Sequence, residues 1–147
     1  MNDVTDAALA YLQAHRVLTL ATQGPAGLWA AAVFYASEQF ALYFLSASDT
    51  RHATNLLREP RAAGAIQDDD VSWQAIRGIQ LEGPVQQLHG ASRERAIAVY
   101  KQKFPFLDGA PEIVQSALER VSWFRLSPDR LYFIDNQRGF GHRDRIL

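Results

Sequence analysis

The sequence has no cysteine in its 147 residues. This absence excludes disulfide bridges, thiolate zinc sites, iron–sulfur clusters held by cysteine and a thiol nucleophile. It is also typical of a protein from a reducing compartment, and we therefore expect a cytoplasmic location.

The chain also lacks an excess of charge and a long apolar run. Lys and Arg total 15 and Asp and Glu total 16, for a formal net charge of -1. The long-range attraction that draws proteins to nucleic acid or to anionic membranes is therefore missing. No apolar run approaches the roughly 20 residues that cross a bilayer, and the first residues do not resemble a signal peptide. We expect neither nucleic acid nor a membrane as a partner.

The composition that remains is typical of a folded globular protein, with 48% apolar and 21% charged residues. A chain of this length is the size of one ordinary domain. We find no repeat, linker or low-complexity segment. The sequence therefore predicts a single domain over residues 1–147.

Short runs rich in β-branched and aromatic residues alternate with turn signals along the chain. They predict strands over 17–22, 28–35, 40–45 and 62–67, one or two more over 72–88 with a break near Gly83-Pro84, and strands over 121–126 and 130–134. Helical spacing predicts helices over 5–15, 50–58, 93–103 and 111–118. Thr5 or Asp6 is the predicted cap of the first helix and Ser92 that of the third. The pattern indicates a mainly β fold, a six-stranded antiparallel barrel with flanking helices.

The segment 46–52 joins a predicted strand to a predicted helix and carries three hydroxyls and an arginine, namely Ser46, Ser48, Thr50 and Arg51. The first N–H groups of a helix offer unpaired donors and partial positive charge, and Arg binds two phosphate oxygens at once. The segment therefore suits a phosphate group. A second interpretation fits the same residues: Ser48 or Asp49 only caps the helix, and Arg51 is a solvated surface side chain.

Other chemistry-bearing residues do not form a known motif. The histidines at 15, 52, 89 and 142 share no metal-ligand spacing, so we predict no metal site. The triplet Asp68-Asp69-Asp70 is expected to be a solvated hairpin tip. No GxSxG elbow, P-loop or strand-linked GxGxxG is present, and the catalytic residues remain unknown.

Taken in order, several segments resemble one family. They are VLTLAT, the frame LWAAAVFYASEQFALYFLSASDTRHATNLLREPRAAGAI, IRGIQLEGPVQQL and DNQRGFG (135–141). Their order resembles the pyridoxamine 5'-phosphate oxidase-like FMN-binding split barrels. Within them, DNQRGFG together with TRHA and IRGIQLEG resembles the small YhbP-like bacterial branch. The resemblance covers about residues 5–142.

The resemblance implies a site at a homodimer interface. It places the phosphate of FMN at Ser48, Thr50, Arg51 and His52, with Ser46 near the ribityl chain. By similarity, the strand Trp29-Ala30-Ala31-Ala32-Val33 would border the flavin ring through its main chain. Arg77 and Gln80 would approach the ring from the same or the partner subunit. His52 stands where relatives usually have Lys, and a histidine is charged only part of the time near neutral pH.

Departures from the family's pattern limit the function that it implies. The vitamin B6 oxidase has an Arg and a Lys where an ungapped match puts Ala30 and Tyr35, and its later Gln falls on Gly78. These losses weaken FMN affinity and argue against oxidation of pyridoxamine phosphate. The resemblance implies an FMN-dependent oxidoreductase of unknown substrate. The alternatives are a non-catalytic dimer that binds or senses a flavin, haem or deazaflavin, and an interaction dimer with an empty cleft.

Overall fold

Four α-helices and eight strands make up the computed structural model, which describes residues 3–69 and 72–147. The helices are α1 (Asp3–Ala14), α2 (Arg51–Arg58), α3 (Gly90–Lys103) and α4 (Glu112–Arg120). The strands are β1 (Val17–Gly24), β2 (Gly27–Glu38), β3 (Ala41–Ser46), β4 (Arg61–Gln67), β5 (Arg77–Gln87), β6 (Ser122–Leu126), β7 (Arg130–Asp135) and β8 (Arg143–Arg145). Short 3-10 turns lie at Trp73–Ala75, Pro105–Leu107 and Asn136–Arg138.

Six of the strands close into an antiparallel barrel in the order β1-β2-β3-β6-β5-β4, and β4 pairs again with β1. β7 and β8 extend the sheet outward from β5. This architecture confirms the predicted fold class, a mainly β split barrel with flanking helices. Closure removes most of the open sheet edges, but β2 keeps one edge without a partner strand over Gly27–Phe34 among the described residues.

Two long strands carry the chain from one half of the barrel to the other. β2 pairs with β1 through Gly27–Phe34 and with β3 through Tyr35–Glu38. β5 pairs with β4 as far as Pro84 and with β6 from Val85 onward. At this bend a Cβ on Gly83 would lie 2.3 Å from the carbonyl oxygen of Ser127, so only glycine fits.

Alternating side chains of the strands fill the barrel, because successive residues of a strand point to opposite faces. Residues buried in this way include Leu18, Leu20, Tyr35, Phe44, Ile66, Ile79, Leu81 and Phe133. A second buried cluster lies between α3 and the sheet, around Tyr43, Tyr100, Phe104 and Trp123. The protein therefore has a barrel core and a smaller helix-covered core.

The first two helices cover opposite ends of the barrel. Tyr11 of α1 donates from its hydroxyl to the main-chain oxygen of Arg77, at the start of β5. Asn55 of α2 donates to the hydroxyl of Thr22, near the end of β1. The strand pairings place the start of β5 at the same end of the barrel as the start of β1. The Tyr11 contact therefore lies at one end of the barrel and the Asn55 contact at the other.

Most predicted elements are present, but several of their ends differ. α1 begins at Asp3, so Thr5 and Asp6 lie inside its first turn, and Gly90 begins α3. Ser92 therefore does not cap α3, and its hydroxyl donates to the main-chain oxygen of His89. β2 continues to Glu38, beyond the predicted end at residue 35. β5 is one unbroken strand, and β8 was not predicted because it has only three residues.

The acidic triplet is only partly a solvated tip. Asp68 accepts from the Nε2 of His15 at 2.7 Å and from the hydroxyl of Tyr11 at 3.2 Å, and so ties β4 to α1. The prediction of a fully solvated triplet is wrong for this residue. Asp69 is exposed, and Asp70 lies outside the described residues.

Candidate functional site

The turn between β3 and α2 is held by hydroxyl groups. The Oγ atoms of Ser46 and Thr50 lie 2.7 Å apart, and the Ser46 hydroxyl also donates to the main-chain oxygen of Ala47. Thr50 is the helix cap, since its Oγ1 accepts from the N–H of Ala53 at 3.2 Å. The predicted alternatives for the cap, Ser48 and Asp49, are therefore wrong.

Several donors at the head of α2 remain free. Among the described residues, no acceptor pairs with the main-chain N–H of Arg51 or of His52. These are the positions where an α-helix presents unpaired N–H groups and partial positive charge. Ser48 lies exposed just before them, whereas Ser46 is buried. The turn thus brings Ser48, Arg51 and His52 together in one place.

The Arg51 side chain folds back over the β1–β2 hairpin. Its guanidinium carbon lies 4.4 Å from the centre of the Trp29 ring, and its Nη2 donates to the main-chain oxygen of Ala26 at 3.1 Å. Its Nε is buried, and no described residue accepts from it. Arg51 is therefore not a freely solvated side chain, since the ring and the carbonyl set its position while most of its donors are unused.

His52 is the second residue with a polar atom that lacks a partner. Its Nε2 is buried, and no described residue forms a hydrogen bond to it. Burial lowers the pKa of His52 below its ordinary value, because the charged imidazolium is poorly solvated there. The neutral ring can still donate one hydrogen bond, but it contributes little charge near pH 7.

The strand Trp29-Ala30-Ala31-Ala32-Val33 offers main-chain groups. It pairs with β1 along one edge, whereas β3 pairs only from Tyr35 onward. No other described strand covers the second edge of β2 over Gly27–Phe34, so N–H and C=O groups remain available there. Trp29, Ala30 and Ala32 are exposed, Ala31 is intermediate and Val33 is buried.

Arg77 and Gln80 are not brought to the turn within one protomer. The guanidinium of Arg77 lies over the rings of Tyr11 and Phe133, at the α1 end of the barrel. The Oε1 of Gln80 accepts from Arg143 at 3.3 Å. The structure therefore groups the turn with Trp29 and places these two residues elsewhere.

Part of the outer face of the barrel carries mostly small side chains. One row of paired residues crosses four strands from Ala32 through Thr19 and Ala65 to Gln80. The next row crosses the same strands, and its members are Ala30, Ala21, Ala63 and Glu82. We call these eight residues the small-residue face. Exposed apolar side chains border it, with Phe34 at 59% and Leu28 at 79% exposure. An exposed apolar area of this kind is typical of a protein interface.

Neither a metal centre nor a membrane-spanning helix is found among the described residues. Within residues 3–69 and 72–147, no group of three or more His, Asp or Glu side chains is placed to hold a metal ion. In the same ranges, no helix has the length and apolar character needed to span a bilayer.

Several contacts of the site were missed from the sequence. The stacking of Arg51 on Trp29 joins residues 22 positions apart, and the hydrogen bond from Asn55 to Thr22 joins residues 33 positions apart. Both depend on how α2 packs over the β1–β2 hairpin, which no local pattern encodes. The one signal available was the apolar spacing of Ala53 and Leu56, which marks the buried face of α2.

The family of the chain follows from comparison with known proteins. The model of the pyridoxamine 5'-phosphate oxidase family matches residues 4–135. The UPF0306 protein of Enterobacter sp. (strain 638) is 31% identical over 90% of this chain and 89% of its own length. The UPF0306 protein YhbP of Escherichia coli (strain SMS-3-5 / SECEC) is 30% identical over 90% and 86%. The chain therefore belongs to the pyridoxamine 5'-phosphate oxidase-like superfamily. Within it, the chain is a member of the YhbP-like branch.

Solved structures share the fold. A haem-binding protein of Mycobacterium smegmatis is 21% identical with a TM-score of 0.80, over 100% of this chain and 59% of that one. HutZ, the haem storage protein of Vibrio cholerae, is 19% identical with a TM-score of 0.70 over 86% and 91%. An FAD-binding protein of Mesorhizobium loti is 15% identical with a TM-score of 0.67 over 89% and 92%. The barrel thus belongs to a fold whose members include flavin and haem binders.

Proposed function

We propose that this protein binds FMN as a homodimer in the cytoplasm and is an oxidoreductase that acts through that flavin. The observation that carries the proposal is the set of unpaired donors at the head of α2. The main-chain N–H groups of Arg51 and His52 and the Nε of Arg51 lack an acceptor among the described residues, and the Nε2 of His52 has no hydrogen-bond partner there. An anionic phosphate supplies such acceptors, and helix N-termini bind phosphates.

The residues present fit a flavin phosphate. Ser48, Arg51 and His52 would hold the phosphate, and the free edge of β2 from Trp29 to Val33 would border the flavin ring. The internal Ser46–Thr50 hydrogen bond keeps the turn in shape, so Thr50 acts by positioning the helix head. When bound, a flavin supplies electron and hydride transfer, while the protein supplies position and polarity. The Arg51–Trp29 contact fixes the approach of the guanidinium before any ligand arrives.

The small-residue face supports the homodimer. Alanine and threonine side chains let two sheets approach closely, and the exposed Leu28 and Phe34 supply apolar area at the border. In this assembly Gln80, which shares a row with Ala32, lies in the interface. Arg77 lies at the barrel end opposite the turn in its own protomer, so we assign its approach to the flavin to the partner subunit.

The test is the absorbance spectrum of the purified protein, recorded from 350 to 550 nm with and without added FMN. We expect the flavin bands to shift on binding, flavin fluorescence to change and the melting temperature to rise. A colourless protein that changes neither flavin fluorescence nor melting temperature with FMN would contradict the proposal. Apo-protein prepared by dialysis against high salt provides the starting point.

The same measurement separates the alternatives. A Soret band on reconstitution with haem, lost on replacement of one histidine, would favour a haem-binding or haem-sensing dimer. Of the four histidines, His15 and His142 already pair with carboxylates, and the Nε2 of His52 has no partner among the described residues. His52 is therefore the histidine to replace first. Binding of a deazaflavin in place of FMN would keep the proposed site and change only the identity of the cofactor.

A further inference from the structure

The imidazole of His15, the residue that follows α1, lies between two oxygen acceptors. Its Nδ1 lies 2.9 Å from the main-chain oxygen of Tyr11, and its Nε2 lies 2.7 Å from a carboxylate oxygen of Asp68. The ring also stacks on the ring of Tyr11, with 3.7 Å between the two centroids. Neither a main-chain carbonyl nor an ionised carboxylate can donate a hydrogen bond. Both ring nitrogens must therefore carry a proton for both hydrogen bonds to form.

Asp68 is an acceptor in this arrangement and not the source of the second proton. The hydrogen bond from His15 is the largest cause that lowers the pKa of Asp68, so its side chain is a carboxylate near neutral pH. The hydroxyl of Tyr11 donates to the same carboxylate at 3.2 Å and to the main-chain oxygen of Arg77 at 3.0 Å. Burial raises the pKa of that hydroxyl, so it remains a donor. A neutral imidazole has one N–H, and its other nitrogen would direct a lone pair at an oxygen.

Charged groups from several elements surround this contact. The charge of Arg77, at the start of β5, acts on Asp68, and the Nζ of Lys103, from α3, donates to the main-chain oxygen of His15. Arg16 follows His15 directly in the sequence. These three cations oppose a positive charge on His15, whereas the Asp68 carboxylate and the C-terminal end of α1 favour it. The side chains of His15 and Asp68 are 21% and 33% exposed, so the ring can exchange its proton with solvent.

We propose that His15, Tyr11 and Asp68 form a protonation-dependent clasp, which the imidazolium of His15 closes between α1 and the end of β4 and which opens when the ring loses its second proton. Because the closed form holds the extra proton, a rise in pH favours the open form. Asp68 must be ionised at the same time, so the clasp is closed only between the titration of Asp68 and that of His15. The proposal does not rest on the flavin, because neither the α2 turn nor the free edge of β2 takes part.

Nuclear magnetic resonance of the whole ¹⁵N-labelled protein between pH 5 and pH 9 tests the clasp. Long-range ¹H–¹⁵N spectra show whether one or both ring nitrogens of His15 are protonated, and the same samples report amide exchange. After correction for the intrinsic exchange rate at each pH, the protection of amides in the last turn of α1 should fall at least about tenfold as His15 loses its second proton. Amides of β1 should stay protected, because the opening is local. Unchanged protection of α1 through that titration, or a neutral His15 ring beside a fully protected α1, would overturn the proposal.

A second histidine–aspartate pair provides the matched control. The Nε2 of His142 lies 3.0 Å from Asp144, but no described residue pairs with its Nδ1, so a neutral ring satisfies that contact. His142→Gln should therefore keep the pH-dependent protection of α1. His15→Gln should lower that protection at pH 6 and remove its pH dependence, and wild-type protection at pH 6 or a persistent pH dependence in this variant would overturn the assignment. If His15→Gln does not fold, ring protonation and α1 exchange in the wild type decide the question together.

Discussion

The guanidinium of Arg51 stacks on the ring of Trp29 at 4.4 Å and donates to Ala26 in the same hairpin. This relationship joins the two parts of the proposed flavin site, the head of α2 and the strand β2, through one side chain. A residue predicted as either a phosphate ligand or a solvated arginine is in fact held in place before a ligand binds. Such preorganisation reduces the loss of side-chain entropy on binding.

Arg51→Ala should weaken FMN binding by about 1.5–3 kcal/mol, which is roughly 10- to 150-fold, through loss of a charge-assisted hydrogen bond. Fluorescence titration of apo-protein with FMN measures the change. Arg120→Ala, an exposed arginine at the end of α4, is the control and should bind FMN normally. Equal affinity of the Arg51 variant and the wild type would place the phosphate elsewhere.

The titration of His52 should contribute to the pH dependence of the free energy of unfolding. Burial lowers the pKa of His52 in the folded state, so the unfolded chain takes up its proton first as the pH falls. The stabilisation is complete above the pKa of the unfolded state, about 6.5, and is lost as the pH falls from there toward the lower pKa of the folded state. Urea unfolding at pH 7.5, 6.5 and 5.5 measures this slope.

His52→Asn isolates that contribution, because it removes the titration and keeps a polar side chain. The free energy of unfolding of the variant should fall less steeply than that of the wild type between pH 7 and pH 5. His89→Asn, at an exposed position before α3, is the control and should keep the wild-type slope. Parallel curves for the His52 variant and the wild type would show that the ring titrates normally.

The sequence predicted the barrel well and the site only in part. A run rich in β-branched residues that ends at a turn signal, as in Val17 to Thr22, depends only on neighbours along the strand, so it can be read locally. The capping residue of α2 could not be predicted locally, because Ser48, Asp49 and Thr50 are all favourable capping residues. Tertiary packing selects Thr50. The Arg51–Trp29 stack and the His15–Asp68 pair join distant segments that meet only when the barrel closes.

The small-residue face makes the homodimer testable. Ala63→Arg places a long charged side chain on that face, where it would separate the two packed sheets, and we expect a monomer. Ala98→Arg, at an exposed position on α3, is the control and should remain dimeric. Sedimentation equilibrium measures the mass of each. A dimeric Ala63 variant with unchanged dissociation constant would exclude this face as the interface.

Asn55 secures α2 to the barrel, so its loss should affect both stability and the site. Its Nδ2 donates to the Thr22 hydroxyl at 3.1 Å, and both side chains are buried. Asn55→Ala leaves that hydroxyl without its partner and should lower the free energy of unfolding by about 1–3 kcal/mol. Thr54→Ala, at an exposed neighbouring position, should change it little. Urea denaturation compares them, and equal loss in both would argue against the buried hydrogen bond.

Asp68 should contribute to stability in a different pH range. The hydrogen bond from His15 is the largest of the causes that hold the pKa of Asp68 below its usual value. The contribution of the Asp68 carboxylate to the free energy of unfolding is therefore complete above about pH 4 and is lost as the pH falls further. Because the carboxylate is partly exposed, Asp68→Asn should lower the free energy of unfolding at pH 7 by only about 0.2–1 kcal/mol. Asp69→Asn, the exposed neighbour, should have no such effect. Because Asp68 ties β4 to α1, amide exchange in α1 should quicken in the Asp68 variant alone, and unchanged exchange there would show that the pair does not anchor the helix.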